Sequence, residues 1–246
     1  DSTQVPYTMT GVSEADLDQG VRRSGALANM TGYGSNFFTK DVTARGVRVV
    51  AAGAVGGQAA IPDAFTEKVA KTIQFFTEPG GDVVEATQDT FIKTLSGETG
   101  TYHAGVPTLQ RVARGQGVDY TPNFLSDAGI MSWGLTPLFD SHKANDMVWY
   151  LNSTGDGYGV GEIDAQEVIE HVFHTLHMHG LTDDIKLYSY ISADWATGPL
   201  YAAMEEAFDA GKWDPSGYQT PLNAWKTDAD AFEVAAKEYM YLLNFA

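Results

Sequence analysis

Apolar positions along the chain recur at two spacings, and the change from one to the other separates strands from helices. Gly46-Val47-Arg48-Val49-Val50-Ala51-Ala52 is short, β-branched and bounded by glycine at either end, which predicts a buried strand. Pro62-Asp63-Ala64-Phe65 predicts a helix start, since proline is tolerated in a first turn and aspartate suits the helix dipole there. Phe65, Val69, Ile73 and Phe76 then follow at helical spacing until Glu78-Pro79-Gly80-Gly81 stops the run. A second amphipathic helix is expected over about residues 84–95.

Thr101-Tyr102-His103-Ala104-Gly105 reads as a turn or edge strand, residues 108–114 as a short helix, and 143–151 as another helix. Between the last two, residues 115–140 are loop-like, with Pro122, Gly129, Gly134 and Pro137 punctuating Phe124, Ile130, Met131, Trp133 and Leu138. A Gly-rich loop over 152–163 leads into a helix over 167–180. Residues 185–191 alternate in strand fashion, 200–210 form a helix, Asp214-Pro215-Ser216-Gly217 a turn, and 228–243 a closing helix. Residues 1–45 form an irregular lead-in with one helical segment over 14–30, and residues 46–246 a single domain of α+β or α/β class, helix-rich around a small sheet.

Charge narrows the partners. Fifteen Lys plus Arg against thirty-two Asp plus Glu give a net charge of −17, a field that repels phosphate backbones and anionic membranes. Nucleic acid is therefore not an expected partner, and no apolar run approaches the roughly 20 residues needed for membrane insertion. With no cysteine in the chain, any metal site must use His, Asp, Glu or backbone oxygen. The chain begins at Asp1, which suits a mature form after signal removal or a trimmed chain, and a secreted or extracellular location is the expectation.

The candidate chemistry concentrates in Glu167-Val168-Ile169-Glu170-His171-Val172-Phe173-His174-Thr175-Leu176-His177-Met178-His179-Gly180, which holds four of the six histidines. At 100° per residue, Glu167, Glu170, His171, His174 and His177 share a sector of roughly 120°, with Val168, Ile169, Val172, Phe173 and Leu176 opposite. His179 falls towards the apolar side. Glu170 with His174, Glu167 with His171, and His171 with His174 stand three or four apart, the spacing of helix-borne metal ligands. Imidazole and carboxylate together suit Zn²⁺ or another divalent transition metal. A single helix does not complete a coordination set, so His103, Glu233 and Glu238 are candidate ligands from elsewhere.

Val168-Ile169-Glu170-His171-Val172-Phe173-His174-Thr175-Leu176 resembles the active-site helix of the zincin metallopeptidases, especially the lethal-factor-like group. In that family a hydrophobic pair precedes His-Glu-x-x-His, whose histidines bind zinc while the glutamate activates water. A later helix supplies a glutamate as third ligand, and Ala236-Lys237-Glu238-Tyr239-Met240 resembles it. The resemblance implies a zincin-like fold over 46–246 and metal-assisted hydrolysis of a peptide or protein substrate. Here the first two motif positions are exchanged. One alignment makes Glu170 and His174 the ligands, with Glu238 third and His171 nearest the base role; another makes Glu167 and His171 ligands with Glu170 as base. A divalent-metal-binding domain, peptidase or catalytically degenerate relative, is the function so implied. A shared ion requires the Glu238 carboxylate to lie within about 5 Å of the His174 imidazole.

A second reading starts one loop earlier. Asn152-Ser153-Thr154-Gly155-Asp156-Gly157, with Ile163-Asp164-Ala165-Gln166-Glu167, resembles an EF-hand loop carrying Gly159-Val160-Gly161-Glu162 as surplus. Asn152, Thr154, Asp156, Asp164 and Glu167 would then offer oxygens to Ca²⁺ in a non-catalytic extracellular structural or assembly module; on either reading a homo-oligomer or surface assembly is a candidate partner. Asp164 serves equally as the cap of the following helix.

Overall fold

The structure, a computed structural model, describes residues 38–54, 59–80, 83–99, 107–115, 147–151, 162–181, 195–217 and 224–243. Among them the chain is a helix-rich α+β fold of four strands and five α-helices. Strands β1 (Phe38–Ala44) and β2 (Val47–Ala52) form an antiparallel hairpin. Its turn holds Arg45 at φ 49° and Gly46 at φ 81°, and positive φ at both central residues is what a tight two-residue hairpin turn needs. A Cβ at Gly46 would also come within 2.9 Å of Ser96 Cβ, so this position wants glycine for two reasons.

Helices α1 (Asp63–Thr77) and α2 (Glu85–Ser96) follow, then β3 (Leu109–Gly115) and β4 (Met147–Leu151). The sheet order is β1-β2-β3-β4, with β2, β3 and β4 mutually parallel. Pairing aligns Ala51, Val112 and Val148 in one row, all buried. The neighbouring row, Asp41, Val50, Arg111 and Met147, points to the other face and is buried too. A sheet covered on both faces does not show the in-out alternation of a half-solvated one.

In the hairpin, Lys40, Asp41 and Arg48 are held by specific partners. Lys40 Nζ donates to Asp63 Oδ1 at 2.7 Å and to the Ile61 carbonyl, tying β1 to the start of α1. Arg48 Nε donates to Asp41 Oδ2 at 3.0 Å across the hairpin.

Helix α3 (Glu162–Gly180) lies over β3 and β4, α1 lies over β1 and β2, and the two helices touch. At their contact the Phe76 and Phe173 rings stand 4.3 Å apart. Val168, Val172 and Leu176, one turn apart, join Val69, Ile73 and the strand residues in the main core. Gly180 ends α3 against Phe91 of α2.

Helices α4 (Pro199–Asp209) and α5 (Ala229–Leu242) build a second, smaller core: Met178, Met204, Trp213, Trp225, Phe232, Ala235, Ala236 and Tyr239. The Trp213 ring stands 5.4 Å from Trp225 and 5.2 Å from Tyr239, both edge-on. Helix α5 starts at Asp228, whose Oδ1 accepts from the Ala231 N–H at 2.9 Å.

Four segments differ from the pattern-based expectation, one of them α3, which starts at Glu162 inside the loop expected over 152–163, so that Asp164 lies within the helix and is not its cap. Residues 108–114 and 143–151 were expected as helix and are β3 and β4, and β1 lies inside the stretch expected to be irregular. For β3 and β4, pairing with a strand distant in sequence overrides local preference; β1 is fixed by its hairpin with β2 and by burial against α1. The expected helix over 14–30, the turn at 101–105 with His103, nearly all of the loop over 115–140, the loop over 152–161 and the strand over 185–191 lie outside the described residues.

Candidate metal centre

The centre is assembled where α3 meets α5. Val168, Val172 and Leu176 turn one side of α3 into the sheet core, and this fixes where the next stripe points. Glu170 and His174, four residues apart, therefore stand side by side towards α5. Helix α5 is held by Phe232, Ala235, Ala236 and Tyr239 in the second core, and from there it presents Glu238 back to α3.

One ligand atom from each of Glu170, His174 and Glu238 lies within 4.8 Å of the other two. His174 Nε2 stands 3.6 Å from Glu238 Oε1. His174 is 2% exposed while both glutamates are half-buried, so the group opens to solvent through its carboxylates.

Two bonds of about 2.1 Å at a tetrahedral angle put neighbouring ligand atoms about 3.4 Å apart. The His174–Glu238 approach of 3.6 Å is close to that separation, and donor atoms up to 4.8 Å apart would have to draw together to share one ion. The donors fit a divalent ion, with two carboxylates and one imidazole in place of the zincin pair of histidines and one glutamate. Three such ligands would leave a fourth position open.

The remaining expected ligands are distributed differently. The His171 ring is half-buried and stands edge-on to His174, with centroids 5.7 Å apart, and it is outside the three-residue group. His177 is buried and stacks on Phe173 at 5.2 Å and 29°, so it faces packing and not the group. Burial first, and the neighbouring His174 second, lower its pKa to about 3, so its ring is neutral at physiological pH. His179 is buried as well. Glu233 lies on α5 but is not one of the three.

The side chain of Glu167, and with it the alternative pairing of Glu167 with His171, lies outside the described residues. So do Asn152, Thr154, Asp156 and the Asp164 side chain of the calcium reading.

One neighbour of the site was not anticipated. The Tyr241 ring stands 6.1 Å from His174, edge-on, and so borders the group from α5. Its position three residues after Glu238 was the available signal, because i,i+3 residues share a helix face. A cavity of about 330 Å³ lies at the far end of α3, lined by Phe76, Val83, Val84, Phe91 and Leu181 among others, and none of the three ligand residues lines it.

No family model matches the chain, and comparison with curated proteins and with solved structures returned no match. Among the described residues no helix is long and apolar enough to cross a membrane.

Proposed function

We propose that the protein is a divalent-metal-binding, zincin-like domain that holds zinc, or a transition metal of similar preference, through Glu170, His174 and Glu238. The observation that carries this reading is the 3.6 Å approach of His174 and Glu238 across two helices, with Glu170 completing the group. Two carboxylates and a buried imidazole within 4.8 Å of one another form a donor set whose charge a dication would balance.

Bound metal would supply Lewis acidity at the open fourth position. The chain's own residues around it are Tyr241 on the α5 side and His171 on the α3 side, one turn from His174. His171 occupies the motif position of the zincin glutamate base, and a neutral imidazole there can accept a proton. Peptide hydrolysis is accordingly the activity to assay, and metal binding is the property to establish first.

The test is elemental analysis of protein purified without an affinity tag or added metal. Stoichiometric zinc, or another transition metal, reduced at least 10-fold in occupancy by His174→Ala, is the expected result. Protein that carries no metal, binds none on titration with Zn²⁺, Mn²⁺ or Co²⁺ and shows no thermal shift sinks the reading. Calcium in place of a transition metal, lost on Asp156→Ala, would move the function to the loop over 152–167.

A further inference from the structure

Two hydrophobic cores meet in this molecule, and the three-ligand group sits across their boundary. Val168, Val172 and Leu176 root α3 in the sheet core, whereas Glu238 rides on α5, which is rooted in the core of Trp213, Trp225 and Phe232. Among the described residues Met178, in the last turn of α3, and Leu181 just beyond it reach into the second core. Helix α5, among the described residues, packs chiefly on α3 and α4, so its main attachment to the sheet side there runs through α3. The group supplies polar ligands from both sides of that attachment.

We infer that the ion acts as a clasp: on binding it locks the α4–α5 unit onto α3, and on its removal this unit opens while the sheet, α1 and α2 stay folded. The inference rests on the metal reading above and adds what the ion does to the fold. A small core around two helices gains little stability alone, and a pair of helices depends on tertiary packing to persist. Two carboxylates within 4.8 Å of a common imidazole repel one another across the α3–α5 contact, and a dication turns that repulsion into attraction. Any opening that carries α5 away from α3 must also release Glu238 from the ion. Openings confined to α2 leave all three ligands in place.

The experiment is amide hydrogen exchange of the full chain at about pH 8, above the ordinary imidazole range, in chelator and then in buffered zinc, with a zinc titration run alongside. In chelator, amides of α4 and α5 should exchange faster than those of β2 and α1. Zinc at about 100 times its dissociation constant should slow α4 and α5 about 100-fold and leave α2 unchanged. Glu238→Gln keeps the side-chain shape and should abolish the zinc-dependent slowing of α5.

Zinc that binds stoichiometrically without slowing α4 and α5 overturns the clasp and leaves metal binding standing. Equal exchange of α5 and β2 in chelator overturns it as well, because no separate opening then exists. Absence of zinc binding removes the clasp together with the metal reading.

Discussion

His177 gives the sharpest link between this fold and solution behaviour. Its ring is buried behind the candidate ligands, stacked on Phe173, and its pKa is lowered to about 3. Its Nδ1 has no hydrogen-bond partner among the described residues. In the unfolded chain the same ring titrates near its ordinary value of 6.5. A histidine whose folded pKa is depressed stays neutral in the native state while the unfolded state takes up a proton. Stability is therefore intact above about pH 6.5, declines as the pH falls, and stops declining near pH 3, where both states are protonated.

Integrating that difference gives a loss of about 2 kcal/mol between about pH 7 and about pH 5, and of about 5 kcal/mol in all. The perturbation is His177→Leu, which is close in volume and cannot titrate. Any constant packing change it brings drops out when the variant is compared with wild type at two pH values. Urea unfolding is measured at both in the presence of a chelator, so that acid release of metal does not contribute. The wild type should lose about 2 kcal/mol more than the variant between the two. Equal losses would show that the ring is hydrated in the native state and that its burial does not govern its protonation.

The other expected outcomes concern the ends of two helices. Alanine usually improves on glycine within a helix, yet Gly180→Ala should destabilise by about 1–3 kcal/mol, read as a lower urea midpoint, because its Cβ would meet Phe91 Cε2 at 2.2 Å. Asp228→Ala removes the side-chain acceptor for the Ala231 N–H and should cost about 1 kcal/mol, seen as a lower thermal midpoint by circular dichroism, with Asp228→Ser restoring most of it.

Helix starts and stops were the most readable part of the sequence, because their determinants are local. Pro62-Asp63 opens α1, and Glu78 follows its last residue. Helices α2, α4 and α5 fall within a residue or so of the expected spans. The strands were harder for a physical reason. In β3, Leu109, Gln110, Arg111 and Ala113 belong to residue types that favour helices, and burial on both faces hides the alternation that marks a half-exposed strand. β4 is five residues of Met, Val, Trp, Tyr and Leu, too short for apolar spacing to distinguish strand from helix, although its aromatic and β-branched content leaned towards strand. β1 looked polar because Lys40 and Asp41 meet their partners, Asp63 and Arg48, only after folding.

The site was half legible for the same reason. Helical spacing alone pairs Glu170 with His174, but nothing in the spacing of α5 prefers Glu238 over Glu233; that preference came from the resemblance, and in the structure Glu238 is the one placed against His174. What the exchanged motif then means can be argued from charge. Two glutamates and a neutral imidazole leave a bound dication formally neutral, whereas two imidazoles and one glutamate leave it with a positive charge. A metal carrying less net positive charge lowers the pKa of bound water less, since the acidity of that water follows the charge it feels. The proposed centre should therefore hold its ion firmly through charge pairing while generating hydroxide less readily near neutral pH. The expected base is also the weaker placed, because His171 would take up a proton beside the cation. Both consequences of the exchange at positions 170 and 171 favour binding over hydrolysis, and both fit an ion whose first effect is to join α3 to α5.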